Sequence, residues 1–181
     1  MIRTLLMLAG TYWAVTSLAE TSERQEYFKA AREYCDEVSK PMLQVGIRHW
    51  LLNPPESEVT LDIDERVLEV PGGVVGDERD MPFTNKQFGV CMNSHTLEHL
   101  YNAEDIEKAI SECVRVADYA VLLVPTPYGI GSLLHPDHKL NILFKDDNIY
   151  IKKKWYVEGW KWPGGIGQAM VLHDEKPKVF A

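Results

Sequence analysis

Two runs in this chain are apolar on both faces of an extended strand, and they limit what it can fold into. One is Met42-Leu43-Gln44-Val45-Gly46-Ile47; the other is Tyr119-Ala120-Val121-Leu122-Leu123-Val124-Pro125. A strand with one face in water alternates apolar and polar residues, whereas one covered on both sides stays apolar throughout. Glu58 to Asp64, Gly73 to Gly76 and Phe88 to Asn93 read as three further strands. Tyr27, Phe28, Ala31, Tyr34, Cys35 and Val38 recur at helical spacing and predict a helix over 23–38. Ser22 to Gln25 reads as its capping box, and Lys40-Pro41 ends it. Ile106, Ala109, Ile110, Cys113, Val114 and Val116 predict an amphipathic helix from Ala103 to Ala117. Asn53-Pro54-Pro55 leaves no room for a long helix between the first two strands. Doubly buried strands alternating with helices predict a three-layer α/β sandwich around a mostly parallel sheet. Asn148 to Val157 and Gly165 to His173 read as an antiparallel C-terminal pair that closes the sheet edge.

The length suits one domain. Its 181 residues are 45% hydrophobic, enough to bury a core. The net charge of −8 argues against a nucleic-acid backbone as partner, since phosphate binding needs a basic surface. Lys152, Lys153 and Lys154 form one local basic patch, read as a solvated strand end. The three cysteines, Cys35, Cys91 and Cys113, give neither a disulfide framework nor a zinc site and point to reduced, intracellular surroundings. Residues 1–20 stand apart from the domain at 21–181. Arg3 precedes an apolar run from Leu5 to Ala19 that ends in Ser17-Leu18-Ala19. Three readings are open for it: a membrane anchor, a signal-like segment, or a helix packed on the domain or a protein partner. The location expected on this basis is the cytoplasm or a membrane surface.

Ligands of an open α/β sheet bind beyond the carboxyl ends of the strands. There the first strand delivers Gln44, Gly46 and Arg48, and the second Asp62 and Asp64. The third delivers Asp77 and Glu78, and the fourth Asn93, Ser94 and His95. A glycine permits close backbone approach, and a strand-end carboxylate can accept a pair of ribose hydroxyls. Such a set can serve a nucleoside.

A longer stretch makes the pattern specific. Gly76-Asp77, Met81-Pro82-Phe83, then Phe88-Gly89-Val90, followed by Leu97-Glu98-His99, resembles the class I S-adenosylmethionine-dependent methyltransferases, type 11 in particular. The likeness covers 40–127 and implies a Rossmann-like fold with S-adenosylmethionine as cofactor. It also implies roles. Gly46 would be the remaining glycine of the cofactor loop, and Asp62 would hold the ribose hydroxyls. Asp77 would meet the adenine amine, with the Glu78 backbone nearby. Asn93 would lie under the methionine moiety, and His95 would face the transferring methyl group or the acceptor.

The chain departs from the family in its first loop. Gln44 replaces the usual acid, and Ile47, Arg48 and His49 stand where further glycines are customary. Two readings are open for Arg48: it offsets the lost helix by meeting the cofactor carboxylate, or it is a surface residue near a degraded site. A hydroxyl acceptor needs in-line positioning and a general base. His95 is the candidate, with His99, His135 and His138 behind it. His135-Pro136-Asp137-His138 alone is too weak a pattern for a metal assignment, and none is made. Two functions follow. One is methyl transfer to a small-molecule or glycan-like acceptor. The other is a catalytically degenerate relative with an assembly role, associated with a membrane or a protein through residues 1–20.

Overall fold

The computed structural model describes residues 24–46, 57–125, 137–153, 167–173 and 179–180. Helix α1 covers 24–38. The strands β1 (Met42–Val45), β2 (Val59–Asp62), β3 (Gly73–Val75) and β4 (Phe88–Ser94) follow, then α2 (Ala103–Val116) and β5 (Ala117–Pro125). The remaining strands are β6 (Leu140–Lys145), β7 (Asn148–Lys153), β8 (Gly167–Leu172) and β9 (Val179–Phe180). Short 3-10 turns at Glu65–Glu69 and Leu97–His99 follow β2 and β4.

The main sheet runs β3-β2-β1-β4-β5-β8. Its first five strands are parallel, as their doubly apolar character predicts, and β8 is antiparallel to β5. Side chains alternate between its faces. Met42, Val90, Met92, Val121 and Leu123 pack with Phe28, Ala31 and Cys35 of α1. Leu43, Val45, Leu61, Cys91, Ala120, Leu122 and Val124 pack on the opposite side with Ile106, Ala109, Ile110 and Cys113 of α2. The expected three layers are present. All three cysteines are buried free thiols.

Local chemistry sets the helix ends. Helix α1 stops where Ser39 turns left-handed (φ 54) and the Lys40 amide donates to Cys35 O at 3.1 Å. The Asn102 side chain accepts from the Asp105 amide at 2.9 Å and starts α2.

An antiparallel edge is present, formed by β8 against β5 (Leu123 opposite Ala169). The partner of β7 differs from the expected one. It pairs with β6 in a second sheet of order β6-β7-β9, not with β8. Asp146 and Asp147, both left-handed (φ 52 and 56), connect β6 to β7. A two-residue turn of that conformation matches strand twist and closes a hairpin locally, so it outcompetes a longer connection. Gln168 of β8 joins the two sheets. Its side-chain oxygen accepts from the Phe144 amide at 2.8 Å, and its nitrogen donates to Ile142 O at 2.9 Å.

Residues 1–20, the Ser22 cap, Lys154 and the 154–157 end of the expected strand lie outside the described residues. Among the described residues, no helix is long and apolar enough to cross a membrane.

Leu122 lies at the centre of β5 and is fully buried. Leu122→Ala is expected to destabilise the domain by about 2–5 kcal/mol. Urea unfolding checks this, with a lower midpoint and an unchanged slope.

Candidate functional site

The chain leaves β1 toward β2 and leaves β4 toward β5, so a crevice opens past the carboxyl ends of this central pair. Gly46 forms the β1 side. It is left-handed (φ +87), and its amide donates to Leu61 O at 2.8 Å. A Cβ there would stand 2.3 Å from Thr96 Cγ2. The end of β1 and the loop after β4 therefore approach as closely as glycine alone permits. Gln44 is buried and its side-chain nitrogen donates to Gly46 O at 3.0 Å, which fixes this turn.

Asp62 closes β2. Its Oδ1 accepts from the Asp64 amide at 2.8 Å, which orients the carboxylate at the sheet edge. Asp64 caps the following 3-10 turn, and the Arg66 guanidinium lowers its pKa to about 2. Ile63 lies between these two acids and is 73% exposed, an apolar surface beside the carboxylate.

The next wall is a polar bracket. Gly76 N–H donates to Asp62 O at 2.9 Å, which places the turn at 77–80 beside β2. Arg79 grips the Asp77 carboxylate through Nε (2.9 Å) and Nη2 (2.6 Å) and reaches Asp105 Oδ1 at 3.0 Å. That guanidinium holds Asp77 below the usual carboxylate range. Glu78 Oε2 accepts from Asn93 Nδ2 at 2.6 Å and lies 2.8 Å from the Thr96 hydroxyl. The same hydroxyl lies 2.6 Å from Asn93 Oδ1. One hydroxyl proton cannot serve both acceptors, and a proton on Glu78 completes the set. Burial pushes the Glu78 pKa up in the same sense, against the hydrogen bonds from Thr96 and Asn93. Helix α2 secures the segment that follows. Glu112 Oε2 accepts from the Met81 amide at 2.7 Å, and Arg115 donates to Phe83 O at 2.7 Å and Met81 O at 3.0 Å.

Past β4 the chain turns at His95, whose left-handed backbone (φ 59) is unusual for a residue with a side chain. Its amide donates to Leu123 O at 2.9 Å. Its ring Nδ1 stands 3.6 Å from Glu98 Oε1, in a carboxylate that is almost wholly buried. The Lys139 amide donates to Glu98 O at 2.8 Å, which draws 137–139 onto this turn.

The fold thus brings Gln44, Gly46, Asp62, Asp77, Glu78, Asn93 and His95 to one sheet edge. Arg48 and His135 lie outside the described residues. The side chains of Gln44, Asp77, Glu78 and Asn93 hold the walls through internal partners. Sequence reasoning missed Thr96, Arg79 and Ile63, and the convergence of His95 and His138 on Glu98. Thr96 had a signal, as a hydroxyl just past a fully apolar strand. The Glu98 cluster had none, because it joins segments about forty residues apart.

The raised Glu78 pKa means that the folded state holds this proton more tightly than the unfolded chain does. Its contribution to stability therefore falls as pH rises from the ordinary carboxylate range through the folded value. Glu78→Gln, neutral throughout, is expected to remove that decline, so its melting temperature gains on the native protein from pH 4 to pH 8. Glu78→Ala leaves Asn93 and Thr96 without their partner and is expected to cost about 1–3 kcal/mol. Thermal melts across a pH series measure both.

A family model described as a methyltransferase domain matches residues 25–119, more than half of the chain. No curated protein matches it. The YcgJ protein of Bacillus subtilis is 19% identical over 47% of this chain and 44% of its own, with a TM-score of 0.36. A SAM-dependent methyltransferase of Archaeoglobus fulgidus is 23% identical over 64% and 61%, at 0.44. One from Thermotoga maritima is 14% identical over 86% and 96%, at 0.45. The chain spans less than half the length of the Bacillus structure. The chain belongs to the methyltransferase-domain family, within the class I S-adenosylmethionine-dependent methyltransferases, whose cofactor is S-adenosylmethionine.

Proposed function

We propose that this domain transfers a methyl group from S-adenosylmethionine to a hydroxyl of a small-molecule or glycan-like acceptor. The observation that carries this reading is the crevice where Gly46, left-handed and pressed against Thr96, faces the carboxyl ends of β2 and β4. The residues present fit the nucleoside half of the cofactor. Asp62 offers a carboxylate for the ribose hydroxyls, Ile63 an apolar surface for the base, and Asp77-Glu78 a backbone edge. Gly46 ends β1 beside Asp62, where the family resemblance puts the chain linking nucleoside to methionine. When bound, the cofactor supplies an electrophilic methyl group on a sulfonium.

The protein's own tasks are then positioning and proton removal. Pre-set turns at Gly46 and His95 fix the two lips of the crevice before any ligand arrives. His95 is the base for the acceptor hydroxyl, and the neighbouring Glu98 carboxylate balances the charge it gains.

A second reading is a domain that kept the fold and serves in assembly, on a protein or membrane surface through residues 1–20. It is favoured by the internal engagement of Asp77, Glu78 and Asn93.

Titration of the full chain with S-adenosylmethionine by calorimetry separates the two. Saturable binding is expected, weakened by Asp62→Ala about 10-fold or more, as for a lost hydrogen bond to a charged group. No heat at millimolar cofactor would overturn methyl transfer in favour of the assembly reading.

A further inference from the structure

Beyond the cofactor crevice, three side chains from two distant segments share one point. Glu98, His99 and His138 each place a ligand atom within 4.8 Å of the others. His138 Nε2 lies 3.7 Å from Glu98 Oε1, and His95 Nδ1 lies 3.6 Å from the same oxygen. Ligands bound to a tetrahedral cation at about 2.0–2.2 Å are themselves about 3.3–3.6 Å apart, so the Glu98–His138 separation is already close to that range, and the set as a whole closes by about 1 Å at most around an ion.

We propose that Glu98, His99 and His138 bind a divalent transition-metal ion. Three features carry this beyond proximity. First, Glu98 is 1% exposed, and a carboxylate so deep calls for cationic compensation. Second, the His99 ring is already oriented as metal-bound histidines are. Its Nδ1 lies 3.2 Å from Asp137 O, and a carbonyl only accepts, so Nδ1 is the donor and Nε2 is the atom that would serve as ligand. Third, the set is braced from both sides. The Lys139 amide bonds Glu98 O at 2.8 Å, and the His99 and His138 rings pack edge to face at 4.9 Å. Those contacts fix the relative position of the two ligand-bearing segments before an ion binds.

Two imidazoles and one carboxylate suit zinc, cobalt, nickel or iron(II) rather than magnesium or calcium, which take oxygen. Three protein ligands leave coordination positions open, as at reactive rather than structural centres. The site adjoins His95, so an acceptor oxygen is the natural further ligand. That use of the ion rests on the methyl-transfer reading, whereas ion binding does not.

The test uses the full chain after chelator treatment, with Co²⁺ and Zn²⁺ as probes. One equivalent of Co²⁺ is expected to bind with visible d–d bands and to be displaced by Zn²⁺. His138→Ala and Glu98→Gln are each expected to weaken Zn²⁺ more than about 100-fold, a larger loss than removal of an outer partner causes. Circular dichroism confirms that each variant is folded. The partly exposed His99→Ala serves in place of Glu98→Gln if burial makes that variant unfold. Absence of stoichiometric binding, or binding unchanged in the folded variants, would overturn the site. Asp62→Ala is expected to keep Zn²⁺ binding intact. Calorimetry with S-adenosylmethionine on the same samples makes failure of the metal site distinct from failure of the cofactor reading.

Discussion

Parallel pairing of β1 with β4 is the constraint from which the rest follows. Leu43 pairs with Cys91 and Val45 with Asn93, two strands whose side chains are buried on both faces. Parallel strands cannot be joined by a tight turn, so each connection must cross a face, and each face must be covered. Helix α1 covers one and α2 the other. Because the chain departs from this pair in opposite directions, the crevice at its carboxyl end is a product of the topology.

The crevice is walled by polar groups that mostly serve one another. Glu78, Asn93 and Thr96 form one closed set, and Asp77, Arg79 and Asp105 another. Such networks rigidify when every member is satisfied. Here they hold the turns after β3 and β4 at a fixed distance from β1, so that Asp62, Gly46 and His95 stand on a pre-set frame.

The apolar runs made the five parallel strands, both helices and the three-layer order legible, because burial on two faces leaves an unambiguous pattern. Pairing of the C-terminal strands was not legible. The left-handed Asp146-Asp147 turn chose β6 for β7, and no periodicity encodes that competition. Places at the strand ends were legible, as at Gly46, Asp62 and His95. Their partners were less so. That Asp77 would turn to Arg79, or Asn93 to Glu78, depends on distances that only the folded chain creates. Glu98 stands out in sequence only within Leu97-Glu98-His99, and its burial against His138 comes from long-range packing.

Gln168 has a consequence for how the domain keeps to itself. Ile142 O and Phe144 N–H lie two residues apart on one edge of β6, the groups an added strand would seek. A carboxamide is chemically a side-chain peptide group, with one acceptor and a donor side by side. Gln168 presents it where a foreign backbone would otherwise dock, so a single side chain closes an edge that could template aggregation. The opposite edge of the main sheet ends in β3, only three residues long, which offers an intruding strand little purchase.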